Sequence, residues 1–215
     1  GVNNIPVMEY AEKGIVVFNT PGANANAVIE LVLCGLFLGS RDIVGGNEWV
    51  KENKDDSDIA KTAEKAKSQF AGHEILGKTI TVIGLGAVGL MVANACVHLG
   101  MNVRGYDPYL TVNNAVKLSK SVNYFEKIED AILGADYVSI HLPLTESTKG
   151  MLNKKLFSLF DDTVLLNFSR DTLVNDDDLL EALNNGKVKK YITDFANPKV
   201  VNMPHTLVIP HLGAS

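Results

Sequence analysis

At 215 residues, with 46% hydrophobic and 21% charged side chains, the chain is long enough to bury one sizeable core. Its 20 basic and 25 acidic residues are well mixed and leave a net charge of −5, a balance that argues against a nucleic-acid face or attraction to anionic membrane. The longest uncharged apolar run, LVLCGLFLG from Leu31 to Gly39, is too short to cross a bilayer, so small-molecule chemistry in a soluble cytoplasmic protein is the expectation.

The stretch from Asn24 to about Val44 is apolar on nearly every side, which predicts a helix buried all round, under other elements or between subunits. Cys34 and Cys96 both fall inside apolar helical stretches and read as small core residues rather than a disulfide or metal pair. NEWVKENKDDSDIAKTAEKAKSQF, residues 47–70, is charged and rich in helix formers, with Trp49 and Phe70 at its ends. It reads as an exposed helical arm or a solvated surface segment.

From Lys78 onward, short β-branched or aromatic runs alternate with helical stretches. ITVIGLG, MNVRGYD, YVSIHLP, TVLLNFS, KYITDF and TLVIPH each end in turn residues. Such alternation predicts an α/β fold, a doubly wound parallel sheet of the Rossmann type in three αβα layers.

Gly84, Gly86 and Gly89 follow the first of these runs and open a helix that closes at Gly100. In that context Gly84 permits the tight turn, Gly86 lets backbone approach a pyrophosphate, and Gly89 allows close helix packing. The helix start, with Ala87 and Val88, offers free N–H groups. Asp107 ends the next strand about twenty residues on, where its carboxylate suits adenosine ribose hydroxyls and repels a 2′-phosphate, so NAD is favoured over NADP.

Ligands of open parallel sheets bind beyond the carboxyl ends of the strands. Those ends carry His141-Leu142-Pro143, Asn167-Phe168-Ser169-Arg170, Asp194-Phe195 and Pro210-His211. Arg170 suits a substrate carboxylate, or a surface ion pair with Asp161, Asp162 or Asp171. His211 suits acid–base work or a structural role, and His141 has the same two readings. His73, His98 and His205 suggest no role. No two His or Cys have metal-ligand spacing, so no metal is expected.

Together GVNNIPVMEYAEKGIVVFNTPGANANAVIELVL, IGLGAVG, YDPY, HLPLTESTKGMLN, NFSRDTLVNDDDLLEAL, YITDF and IPHLGAS resemble the nucleotide-binding domain of the D-specific 2-hydroxyacid dehydrogenases, over essentially the whole chain. Within that family NTPGANANAV, KSQFAG, YDPY, TDF and IPHLGAS are most similar to the members that oxidise D-3-phosphoglycerate. The resemblance implies that residues 1–21 cross from a substrate domain outside this chain, residues 24–70 supply a dimer-forming helix and arm, and residues 78–215 form the dinucleotide-binding sheet. A final helix returning to the substrate domain would also lie outside, and the isolated chain would be inactive.

By the same resemblance Arg170 binds the hydroxyacid carboxylate and His211 takes the hydroxyl proton. Asp194 holds the nicotinamide amide, while Leu142, Pro143, Phe168, Ser169, Leu212, Gly213 and Ala214 line the cofactor cleft. Two positions depart from the family pattern. Asp171 stands where Gly usually follows the arginine, and no acidic residue stands between Asp194 and His211, where a Glu normally partners the histidine. Two alternatives follow for the histidine: a carboxylate comes from elsewhere, or Asn197 orients the ring as a neutral substitute. A non-catalytic NAD-binding regulator and a dehydrogenase for another D-2-hydroxy acid remain alternatives.

Overall fold

The computed structural model describes residues 5–18, 20 and 22–213. Seven strands, β1 (Thr79–Ile83), β2 (Asn102–Tyr106), β3 (Asn123–Phe125), β4 (Tyr137–Ile140), β5 (Thr163–Asn167), β6 (Val188–Thr193) and β7 (Thr206–Val208), form one sheet in the order β3-β2-β1-β4-β5-β6-β7. Every neighbouring pair is parallel. Parallel neighbours cannot be joined by hairpins, so the chain crosses a sheet face between strands. Strand order reverses between β1 and β4, which opens a crevice at their carboxyl ends.

Helices cover both faces. Two of them, α2 (Ala25–Ser40) and α5 (Ala87–His98), share one core with Ile80 and Val82 of β1. On the opposite face α7 (Ile128–Ile132), α8 (Lys154–Phe157) and α9 (Asp176–Asn184) share a second core with Ile83. The same alternation sends the Thr81 hydroxyl to the Ala131 carbonyl of α7, so that buried polar atom is satisfied. The remaining helices are α1 (Val7–Glu12), α3 (Ile43–Glu52), α4 (Ile59–Ala66) and α6 (Val112–Lys117).

Two glycines explain how α2 reaches the sheet. A Cβ at Gly35 would lie 2.8 Å from the Phe168 ring, and one at Gly39 would lie 2.9 Å from Val164. Their absence brings the helix close to β5 and β6, where Val32 and Leu36 are buried. The expectation of one helix running to about Val44 is corrected. The helix stops at Arg41, which is extended, and Asp42 caps a separate α3 by accepting the Gly45 N–H. One side stays exposed along Asn26, Glu30, Cys34 and Phe37, a stripe at helical spacing. Cys34 is therefore a surface residue, whereas Cys96 is buried and its thiol is pushed up to about 12 by that burial.

The expected arm is a helical hairpin of α3 and α4, ended by a 3-10 turn at Lys67–Phe70. Its two ends meet, because the Trp49 and Phe70 rings stand 6.2 Å apart. Within residues 1–21 the described part holds α1, none of whose residues is buried. The edge strand β3 was not foreseen, since three residues, NYF, carry too little alternation to read.

Candidate cofactor and active site

The glycine turn is built by backbone meeting backbone. Gly84 has φ +91°, and a Cβ there would overlap the His141 carbonyl, while one on Gly89 would overlap the Gly84 carbonyl. Gly86 differs from both. Its φ of −69° and ψ of −163° suit any residue, and a Cβ there would meet no protein atom within 4 Å. Nothing in the fold requires glycine at 86, so the space above it is kept for something else. No side chain caps α5, and the N–H groups of Ala87, Val88 and Gly89 at its start need an acceptor.

Asp107 stands beside this turn. One carboxylate oxygen accepts the Leu85 N–H at 2.8 Å and the other the Tyr109 N–H at 2.8 Å, which ties the end of β2 to the loop after β1. A carboxylate has about four lone-pair sites, so room remains for ribose hydroxyls.

Further hydrogen bonds join the neighbouring strand ends. The Ser169 hydroxyl donates to the Ile140 carbonyl at 2.6 Å, bringing the end of β5 to that of β4. Leu142 is half-buried at the glycine turn, where its side chain approaches Gly84, and Pro143 is exposed. His141 is structural: burial pushes its imidazole down to about 3, and Nε2 bonds the Ser139 hydroxyl at 2.8 Å. Phe168 is corrected. Its ring is buried in the α2 core against Gly35, so it offers the crevice backbone alone.

Asn167, which the sequence places at its strand end without a role, shapes the turn that presents Arg170. Fully buried, it donates to the Arg170 carbonyl at 2.9 Å and the Tyr191 hydroxyl at 3.2 Å, and accepts the Ser169 N–H at 3.2 Å. Its signal was a polar residue ending an otherwise apolar strand. The Tyr191 hydroxyl stays protonated, its pKa pushed up to about 12 by burial. Arg170 itself is exposed and donates to the Ser169 carbonyl at 2.6 Å. Among the described residues it forms no ion pair, and Asp162 is held instead by Lys189 at 2.6 Å.

Asp194 and His211 meet at the ends of β6 and β7. The His211 N–H is shared between the carbonyls of Asp194 at 2.9 Å and Ile209 at 3.0 Å, and its φ of +35° is rare for a side-chain-bearing residue. The imidazole is exposed, with the Phe195 ring against it at 5.0 Å in an edge arrangement. Asp194 is 2% exposed, and one oxygen accepts the Gly213 N–H at 3.3 Å. The other oxygen, Oδ1, is buried without a partner among the described residues. Burial holds this carboxyl above the usual range, opposed by the charge of His211 and by the Gly213 N–H. A buried, unpartnered acceptor is costly, and a bound carboxamide N–H would relieve it. Ala214 lies outside the described residues.

The alternative in which Asn197 orients the His211 ring is corrected, because its amide points elsewhere, to Asp171 and Asp176. Among the described residues no cluster of three or more His, Cys, Asp or Glu could hold a metal ion, and no helix is long and apolar enough to cross a membrane.

The NAD binding domain of the D-isomer specific 2-hydroxyacid dehydrogenases matches residues 34–213. The chain belongs to that family. It is 32% identical over 222 residues to a D-3-phosphoglycerate dehydrogenase of Bacillus subtilis, covering 100% of this chain and 40% of that protein. It is 31% identical over 225 residues to a hydroxypyruvate reductase of Thermotoga maritima, covering 100% of this chain and 68% of that protein. The chain thus spans well under two thirds of the length of the phosphoglycerate dehydrogenases it matches. Among solved structures, a Granulicella formate dehydrogenase superposes with a TM-score of 0.82 at 20% identity, over 100% of this chain and 57% of that one, which shows the shared fold. As an NAD-binding domain of this family the chain has NAD as its cofactor. The free N–H groups of α5, the open space at Gly86 and the unpartnered Asp194 oxygen fit that group.

Two outcomes follow for this domain. Gly86→Ala should leave urea unfolding within about 0.5 kcal/mol of the parent, while calorimetry should show NAD binding weakened by at least about tenfold, or ~1.4 kcal/mol. For Asp194 the sign runs the other way. Its folded carboxyl lies above its unfolded value, so ionisation costs stability, a cost absent below about pH 4 that grows as pH rises through the folded value. Asp194→Asn should be at least as stable as the parent at pH 7 and lose that advantage toward pH 4 in urea titrations. It should bind NAD about tenfold more weakly, since one of its two positions then carries a donor instead of an acceptor.

Proposed function

We propose that the chain is the cofactor-binding part of a cytoplasmic enzyme that oxidises D-3-phosphoglycerate to 3-phosphohydroxypyruvate, the entry step of serine biosynthesis. The observation that carries the reading is the convergence, at adjoining strand ends, of a guanidinium, an exposed imidazole and a buried carboxylate, the first without an ion pair and the last with an acceptor left free among the described residues. NAD, when bound, supplies the hydride acceptor.

In this reading the Arg170 fork pairs with the substrate carboxylate and fixes the face that C2 presents. His211 takes the hydroxyl proton. Asp194 accepts from the carboxamide and so fixes the nicotinamide's orientation. Gly86 and the start of α5 hold the pyrophosphate, Asp107 holds the adenosine ribose, and Leu142, Pro143, Ser169, Gly213, Ala214 and the Phe168 backbone form the walls. The phosphoglycerate assignment is supported by matches that span this chain and 40% of each of several phosphoglycerate dehydrogenases. The comparable match to a hydroxypyruvate reductase favours a second reading, the same chemistry on another short 2-hydroxy or 2-oxo acid.

We also propose a homodimer. The exposed stripe of α2, with Phe37 41% exposed, continues into Ile43, Val44 and Val50 of the hairpin, an apolar surface suited to a second copy. The full-length protein should sediment as a dimer and Phe37→Asp as a monomer. A parent that sediments as a monomer at micromolar concentration would contradict the pairing.

Steady-state NADH production by the full-length protein, with 3-phosphoglycerate and other D-2-hydroxy acids, tests the reaction. His211→Ala should lower kcat about 10²–10⁴-fold, and Arg170→Ala should lower kcat/KM about 10- to 150-fold. The 215-residue chain alone should bind NAD without turnover. A full-length protein that binds NAD but turns over no hydroxyacid would favour a regulator.

A further inference from the structure

One side chain joins the loops that carry Arg170 and His211. Asn197, in the connection after β6, donates through Nδ2 to Asp171 Oδ1 at 3.0 Å and to Asp176 Oδ2 at 3.2 Å. Its Oδ1 accepts the backbone N–H groups of Lys199 at 3.0 Å and Val200 at 2.9 Å. An amide has two donors and two lone pairs, so its capacity is fully used.

Both ends of this bracket lead to the site. Asp171 directly follows Arg170 and opens the short 3-10 turn Asp171–Leu173. Two residues before Asn197, the Phe195 ring bears on His211. The path from guanidinium to imidazole is therefore Arg170, Asp171, Asn197, Ala196, Phe195, His211, with one hydrogen bond and one ring contact as its only non-covalent links.

We infer that Asn197 is a positioning residue: by tying the Arg170–Asp171 turn to the Phe195–His211 contact, its amide sets the spacing and orientation of the two groups. This rests on the reading under Proposed function. The amide is required because both partners are carboxylates, which only a donor can bridge. Crowding is already present, since burial and then the Asp171 charge hold the Asp176 carboxyl above its usual range. Lys199, paired with Asp177 at 2.8 Å, offsets part of it. A third carboxylate at 197 would push the loops apart. The acid at 171 and the amide at 197, each a departure from the family pattern, are then one feature. Displacing a reacting group by about 1 Å can cost on the order of a hundredfold in rate.

The test uses the full-length protein carrying Asn197→Asp, Asp171→Asn, or both. The double variant exchanges donor and acceptor and can re-form the bond. Asn197→Asp should lower kcat/KM for the hydroxyacid at least tenfold while NAD affinity stays within twofold, and the double variant should recover most of the loss. The ring resonances of His211, assigned against His211→Ala and carrying the ring current of Phe195, should move in Asn197→Asp and return in the double variant. If Asn197→Asp fails to fold, Asn197→Ala deletes the bond without adding charge and is expected to move the same readouts.

Wild-type kcat/KM and unmoved His211 resonances in these variants would overturn the inference, as would losses that simply multiply in the double variant. Resonances that move and return in a protein without hydroxyacid turnover would support the bracket and sink the proposed reaction. Turnover that depends on His211 but ignores position 197 would do the reverse.

Discussion

The structure depends on backbone meeting backbone where strand order reverses. With Gly84 against the carbonyl of His141, and Gly89 against that of Gly84, β1, β4 and the start of α5 converge without intervening side chains. A Cβ at either place would force strand and helix apart, and the exposed N–H groups at the helix start would no longer face the crevice. The rest of the architecture serves this approach. Two apolar cores clamp the sheet from both faces, while α2 uses Gly35 and Gly39 to lie close behind β5 and β6.

The crevice is held open by polar groups whose needs are met in different degrees. Asn167 has a partner for each of its polar atoms and fixes the turn before Arg170, and Asp107 is half-used and pins the first loop. Asp194 is left with a buried acceptor that nothing in the described residues satisfies. Saturated groups build shape, whereas an unsatisfied one marks where a ligand's donor belongs. This difference separates the structural His141, neutral and bonded to Ser139, from His211, exposed on a strained backbone with the Phe195 ring edge beside it.

Much of this was legible in the sequence because its period matches its burial. Six apolar runs became six of the seven strands, and GLGAVG lies at the turn where strand spacing put it. The strand missed, β3, is not an apolar run, and none of its residues Asn123, Tyr124 and Phe125 is buried. For α2 the sheet-facing side was hard to read for a physical reason: the second half of its outer stripe, Cys34 and Phe37, is as apolar as its inner side, and only Asn26 and Glu30 in the first half mark the exposed side. Phe168 failed similarly. A residue at a strand end points to one face or the other, and only the neighbouring Gly35 decides that its ring belongs to the core. Asn167 needed the third dimension, since its partners lie on its own turn and on β6.

The two departures from the family pattern show where reading residues singly stops working. An acid beside an arginine proposed to bind the substrate carboxylate looks like a defect, and so does an amide in place of the carboxylate that the family resemblance implies beside the histidine. Placed together they satisfy each other, because Asn197 donates to Asp171 and the charge that would trouble the guanidinium is turned toward an amide. A carboxylate restored at 197 alone would face Asp171 and Asp176 with no donor between them. Return to the common pattern therefore has to change both positions, and a chain that has taken one step is held from reversing it by the other.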